Sequence, residues 1–189
     1  MKKLFFILFL FLINISFCTA ANQQDLEKLL AINKPAKTMD LSNADLRHYA
    51  FDPKINLQNA NLSHSNLSGM DLSKLNLGGA DLSYADLSHT KLNQTNLAHA
   101  NLQYANLSNS NIRQSDFSQA DLSYANLTHA ILQNSIFSKA NLHCAHLDNA
   151  DLTNTNFTET DLSGTSLVNA ITNNIVDNGA VIDNNTTCE

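Results

Sequence analysis

The chain has 189 residues, of which 43% are hydrophobic and 15% charged, with two Pro, five Gly and no Trp. That much apolar mass at so low a charge density excludes a disordered tail and a collagen-like fibre. Eleven Lys and Arg stand against seventeen Asp and Glu, a net charge of −6 and the wrong sign for a protein that works on phosphate backbones, so nucleic acid is not an expected partner. Cys18, Cys144 and Cys188 are too few and too scattered for a disulfide framework or a structural zinc site, and whether Cys144 and Cys188 pair stays open.

Residues 1–21 read as a signal peptide. Lys2 and Lys3 precede an apolar run from 4 to 13, and the small cluster Cys18, Thr19, Ala20 and Ala21 suits cleavage after Ala20 or Ala21. The unbroken run is about half of the roughly 20 residues that cross a bilayer, so no stable membrane span is expected. Phe17 sits where lipoprotein processing takes a small residue, which argues against an anchor at Cys18. The mature protein is then exported, periplasmic or secreted, with nine basic and seventeen acidic residues, a net charge of −8.

Residues 22–38 form the next unit, a short helix and linker. Asn22 is placed as an N-cap, Leu26, Leu29 and Leu30 form one stripe, and Pro35 follows the end. A helix here would cover the first turn of whatever follows it.

From 57 to 167 every fifth residue is Leu, Ile or Phe, twenty-three centres in succession. Asn or Asp usually precedes the centre, a small residue lies two before it, and Ser or Thr commonly follows, as in Ala60-Asn61-Leu62-Ser63. On an α-helix five steps rotate each centre by roughly 140°, which scatters them around the axis. On a straight strand an odd spacing alternates faces. A chain that turns a corner every five residues points every centre inward, together with the small residue two before it. Its coils then stack through backbone hydrogen bonds at about 4.8 Å, giving an all-β solenoid over residues 39–169. Leu41, Leu46 and Phe51 fit the same pattern, but six residues separate Phe51 from Leu57, so one residue is inserted around Pro53.

This stretch resembles the pentapeptide repeat family, whose motif is written A(D/N)LXX. The resemblance implies a right-handed quadrilateral β-helix, four pentapeptides to a coil of about twenty residues, with a short N-terminal capping helix. Similar helices in the family are often followed by a pair of cysteines; Ala36 and Met39 stand there in this chain. Spacing within the sequence agrees with twenty residues per coil. Phe117, Phe137 and Phe157 then share one interior column, and His64, Tyr84, Tyr104, Tyr124 and Cys144 share one exterior column. Asn61, Asp81, Asn101, Asp121, Asn141 and Asp161 alternate along a third, so that no two carboxylates are stacked.

In residues 170–189 the apolar Ile171, Ile175, Val176, Val181 and Ile182 are spaced irregularly among Asn, which suits a cap, a tail, a final imperfect turn or a dimer contact.

Candidate chemistry is sparse. His143, Cys144 and His146 all read as outward-facing across one corner, but their spacing matches no zinc pattern and a closed site takes four ligands. The abundant Ser, Asp and Asn serve the corners, and no nucleophile elbow, phosphate loop or acid–base pair is present. No catalytic, cofactor or metal residue is assigned, and an enzyme is not expected. Asn-Leu-Ser and Asn-Leu-Thr strings such as 61–63 and 126–128 match the glycosylation acceptor because the repeat generates it. The candidate partner surfaces are Tyr84, Tyr104 and Tyr124, for a carbohydrate or protein, and Ile131 with Ile136, which replace Asn or Asp before two consecutive centres and are expected to meet across one corner.

The function expected is an exported non-enzymatic scaffold that binds an unidentified protein, a second copy of itself included, or supports the envelope. The alternative implied by the family is a mimic of duplex DNA that binds DNA topoisomerase and confers quinolone resistance. Residues 55–169 carry four basic and nine acidic side chains, net −5. Duplex DNA of the same length, roughly 28 Å, carries about sixteen phosphate charges, and export separates the protein from a cytoplasmic enzyme.

Overall fold

The computed structural model of the chain describes residues 40–47, 49–51, 55–182 and 188. The expected signal peptide and capping helix lie outside the described residues.

The chain winds into a four-sided solenoid. Each residue before a centre makes one parallel bridge to the residue twenty further on, as in Asn61↔Asp81, Asn66↔Asp86, Asp71↔Lys91 and Asn76↔Asn96, which are the four sides of one coil. Two backbone bonds make up each bridge. Leu62 N donates to Asp81 O at 2.7 Å, and Asp81 N donates to Ala60 O at 2.9 Å. Asp40↔Asn61 and Asp45↔Asn66 span twenty-one residues whereas Asn56↔Asn76 spans twenty, so the one-residue insertion falls between the second side and the fourth, where the sequence places it around Pro53.

The corners follow from the same five residues. Asp81 Oδ1 accepts the Ser83 backbone N–H at 3.0 Å, and Ala85 N donates to Leu82 O at 3.1 Å, closing the turn. The second residue after each centre takes a left-handed backbone whatever its type, including Tyr84 (φ 58°), Gln119 (59°), Lys139 (62°) and Cys144 (55°). For a residue other than Gly this costs roughly 1–2 kcal/mol. In return its N–H enters the stack, as when Tyr84 N donates to Gln103 O at 2.9 Å.

Inside, Leu62, Leu82, Leu102, Leu122 and Leu142 form one fully buried column and Leu72, Leu92, Ile112, Leu132 and Leu152 another. Phe117, Phe137 and Phe157 stack in the interior with ring centroids 4.7 and 5.4 Å apart. Ser115, Ser135 and Thr155, two before these rings, are small enough to leave them room, and their hydroxyls are buried without going unpaired. Ser135 Oγ donates to Ile112 O at 2.5 Å, Thr155 Oγ1 to Leu132 O at 3.0 Å, and Ser115 Oγ to Leu92 O. Among the described residues no buried side-chain N or O lacks a partner.

The stack continues past Asn169, so that of the cap, tail, final imperfect turn and dimer contact considered for the segment after it, the described residues to 182 form a final turn. Ser166, Ile171, Val176 and Val181 bridge to His146, Asp151, Asn156 and Asp161, so residues 163–182 complete one more coil. It is imperfect in composition only: Thr172 and Asp177 occupy centre positions, Asp177 standing at the head of the phenylalanine column. Cys188 is disulfide-bonded to Cys144 with Cα atoms 5.6 Å apart.

Candidate functional surfaces

A filled interior leaves the outer corners and sides to carry function. On one corner His64, Tyr84, Tyr104 and Tyr124 stack in order, with centroids 4.8, 4.9 and 4.9 Å apart and planes within 3–7° of parallel. The spacing is the coil repeat itself, since the left-handed backbone at each position aims every ring along the same direction. Tyr84 and Tyr104 are 52% and 46% exposed. Their faces are occupied by one another, so what solvent meets is a row of ring edges and hydroxyls. A sugar that stacks on an aromatic face finds no free face between the rungs, and the ladder suits a protein contact better than a carbohydrate platform.

The ladder ends at the disulfide. His143 meets Tyr124 edge-on, with centroids 5.6 Å apart. Cys144 takes the next place in that exterior column and is 2% exposed, with Cys188 bonded to it. The Cys188 sulfur lies 3.5 Å from the carbonyl oxygen of Gly164, the residue one coil beyond Cys144 in the ladder column. His143 Nε2 lies 3.4 Å from Cys144 Sγ, its Nδ1 lies 3.0 Å from Ser163 Oγ, and Ser163 Oγ donates to Asp161 Oδ1 at 2.6 Å. The pairing of Cys144 with Cys188 is the main feature that sequence reasoning left undecided. Among the described residues no group of three or more His, Cys, Asp or Glu is placed to hold a metal.

Ile131 and Ile136 sit on consecutive sides, with turn residues Gln133 and Asn134 at the corner between them. Ile136 is 41% exposed and Ile131 half-buried. The Ile131 column continues through Asp151 to Ile171, and the Ile136 column through Asn156 to Val176. Two apolar pairs therefore occupy neighbouring sides two coils apart, with polar residues between. Among the described residues of the C-terminus, Cys188 is held at a different corner.

Carboxylates on these surfaces are held by hydrogen bonds and, at Asp71, by a nearby lysine. Asp151 loses some hydration, which pushes its carboxyl up, but hydrogen bonds from Thr153 and Gln133 outweigh this and hold it below the usual carboxylate range. Asp71 is lowered by its hydrogen bonds from Ser73 and by Lys91, whose Nζ is 3.9 Å away across one coil. The Asn–Asp column is bonded in pairs, Asn101 Nδ2 donating to Asp81 Oδ1 at 3.1 Å and Asn141 Nδ2 to Asp121 Oδ1 at 3.2 Å. Among the described residues no helix is long and apolar enough to cross a membrane.

Comparison with known proteins bears on the family. No curated protein matches the chain. Solved structures similar to it include a trypsin-treated form of QnrB1, a plasmid-mediated fluoroquinolone resistance protein, at 20% identity over 78% of each chain with a TM-score of 0.53. Also similar are the pentapeptide repeat protein Rfr23 from the cyanobacterium Cyanothece 51142, at 31% identity over 55% of this chain and 64% of that one with a TM-score of 0.26, and one from the Arabidopsis thaliana thylakoid lumen, at 27% over 49% and 68% with 0.30. The pentapeptide-repeat profile matches in eight copies over residues 54–83, 80–119, 120–158 and 135–171. A five-residue period, four sides to a coil and a match across more than half of the sequence together make this chain a member of the pentapeptide repeat family.

Proposed function

We propose that the protein is an exported scaffold that binds another protein through its outer surface, or supports the envelope, and has no enzymatic role of the cleft-bound kind. The observation that carries this is the filled interior: every centre from 57 to 162 is buried, so recognition belongs to the corners and sides. The Cys144–Cys188 disulfide supports export, because such bonds persist in oxidising compartments. The tyrosine ladder and the sides bearing Ile131 and Ile136 are the partner surfaces, and the partner is a protein, a second copy included.

The test is capture of partners from periplasm and culture medium with the mature chain, beside a Tyr84→Ser/Tyr104→Ser/Tyr124→Ser variant and an Ile131→Asn/Ile136→Asp variant. The reading expects a mature N-terminus at Ala21 or Asn22 and loss of a captured protein, or of a dimer mass, with one of the two. Recovery of uncleaved protein in the cytoplasm overturns it. Raised quinolone tolerance on expression would favour the DNA-mimic alternative, toward which the likeness to QnrB1 contributes the fold alone.

A further inference from the structure

At the end of the ladder Cys144 and Cys188 lie beside His143, Ser163 and Asp161, an arrangement the scaffold reading does not call for. We infer that Cys144 and Cys188, with His143, form a thiol–disulfide exchange site whose reactant is a small thiol or its disulfide. The inference goes beyond the scaffold reading and does not rest on any partner.

Hydrogen bonding assigns the roles. Ser163 Oγ gives its hydrogen to Asp161 Oδ1 at 2.6 Å, so toward His143 it acts as an acceptor, and Nδ1 of the ring, 3.0 Å away, carries the hydrogen. In the neutral imidazole Nε2 is then bare and faces Cys144 Sγ at 3.4 Å. A disulfide sulfur has no hydrogen to offer that nitrogen, and a thiol has. The contact is therefore better satisfied after reduction, as S–H···Nε2 or as thiolate beside imidazolium, than in the disulfide form. A bond built only to hold the tail gains nothing from such a neighbour. The Asp161–Ser163 pair itself is the ordinary turn bonding of the repeat, seen again at Asp151 and Thr153. What the repeat does not supply is the imidazole set against the sulfur.

Accessibility fixes the direction of attack. Cys188 is exposed and Cys144 is buried beneath it. An incoming thiol ionises, its proton is taken up at His143 Nε2, and the thiolate attacks the Cys188 sulfur. The bond to Cys144 breaks, its electron pair leaves on Cys144 as thiolate, and that thiolate faces the imidazolium. A second thiolate then attacks the reactant's own sulfur in the mixed disulfide and releases Cys188, which takes up the second proton. Two thiols have become one disulfide, and the protein has gained two electrons and two protons. Run backward, Cys188 attacks the small disulfide and Cys144 resolves the mixed disulfide. Ser163 and Asp161 are positioning residues, acting through the tautomer of His143.

The experiment equilibrates the folded mature chain in glutathione buffers of graded ratio, quenches with acid and counts free thiols by maleimide labelling. Wild type is expected to reach half-reduction while remaining folded by circular dichroism. His143→Gln should need a buffer about tenfold more reducing, which corresponds to about 30 mV. Ser163→Ala, which keeps the imidazole, should shift in the same direction by less. As a second readout, Cys188→Ser leaves Cys144 as the free thiol of the mature chain. Its alkylation by iodoacetamide should persist into acid, whereas Cys188→Ser/His143→Gln should react about tenfold more slowly at pH 6. The proposal is overturned if glutathione leaves the folded wild type oxidised, if the first two proteins titrate within twofold of one another, or if Cys144 alkylates at the same rate with and without His143. If His143→Gln alone fails to fold, the Ser163→Ala titration decides the matter, and an unshifted value rejects it.

Discussion

A left-handed backbone at Gln119 or Lys139 is a local cost that this fold meets once every five residues. Asn tolerates that region several-fold better than most residues. Gln119, whose backbone N–H donates to Ser138 O, is therefore a place where the chain is not at its optimum. Gln119→Asn should stabilise the protein by a few tenths of a kcal/mol to about 1 kcal/mol, read from urea midpoints at unchanged slope. Phe137 is the opposite case, stacked between two rings with no exposed surface. Phe137→Ala should cost about 3–5 kcal/mol, because the coils on either side fix the column spacing and the hole cannot collapse. A variant of undiminished stability would show that the ring is not held as described. Asp151 carries a pH dependence. Its carboxyl lies below the usual range in the folded state, so its contribution is full above about pH 4, the unfolded value, and is lost as pH falls through the lower folded value. Because the group is largely solvated the effect is a fraction of a kcal/mol. Asp151→Asn should flatten the acid limb of the melting curve below about pH 4 and leave neutral stability nearly unchanged.

At the scale of one coil, the last turn is the weak element. Among the described residues, 163–182 are paired on one side only, and Leu167, Ile171, Val176 and Ile182 are exposed. The disulfide closes a loop whose ends are 44 residues apart in sequence and holds the tail at the corner of Gly164. On the chain-entropy estimate that closure is worth up to about 4 kcal/mol. Cys188→Ser should lower stability by up to that amount. In hydrogen exchange, the amides of Ser166, Ile171, Val176 and Val181 should lose protection before those of the Tyr84–Tyr124 coils. Uniform loss of protection along the array would mean that the coils unfold as one unit and that the staple does not act locally.

Across the whole molecule, what was legible in the sequence is what the period controls. A centre every five residues is compatible with only one way of burying all of them, and the bridges at twenty residues, the phenylalanine stack and the tyrosine ladder follow from it. The break between Phe51 and Leu57 was legible because one inserted residue changes the spacing of every bridge that crosses it. Two features carry no periodic signal. The left-handed corners hold Tyr, Lys, His and Gln alike, since backbone bonding to the next coil imposes the conformation and the side chain does not report it. The last coil persists through Thr172 and Asp177 because its bridges use the residues before the centres, so hydrophobicity at the centres stops marking the fold before the fold stops. The Cys144–Cys188 pairing joins residues 44 apart in sequence, a long-range geometry that local spacing does not encode.

Asp177 at the head of the phenylalanine column also bears on how such a chain can lengthen in evolution. A duplicated coil appended after residue 182 would cover Asp177 with a buried centre and leave a carboxylate in an apolar column without a partner, at a cost of several kcal/mol. Duplication within the array meets no such barrier, but only in blocks of twenty residues. A single added pentapeptide would rotate every later column by one side, separating Tyr124 from Tyr104 and carrying Cys144 and His143 off the ladder corner together. Length variation of this array is therefore expected to be confined to internal multiples of one full turn, with the C-terminal coil kept as its end.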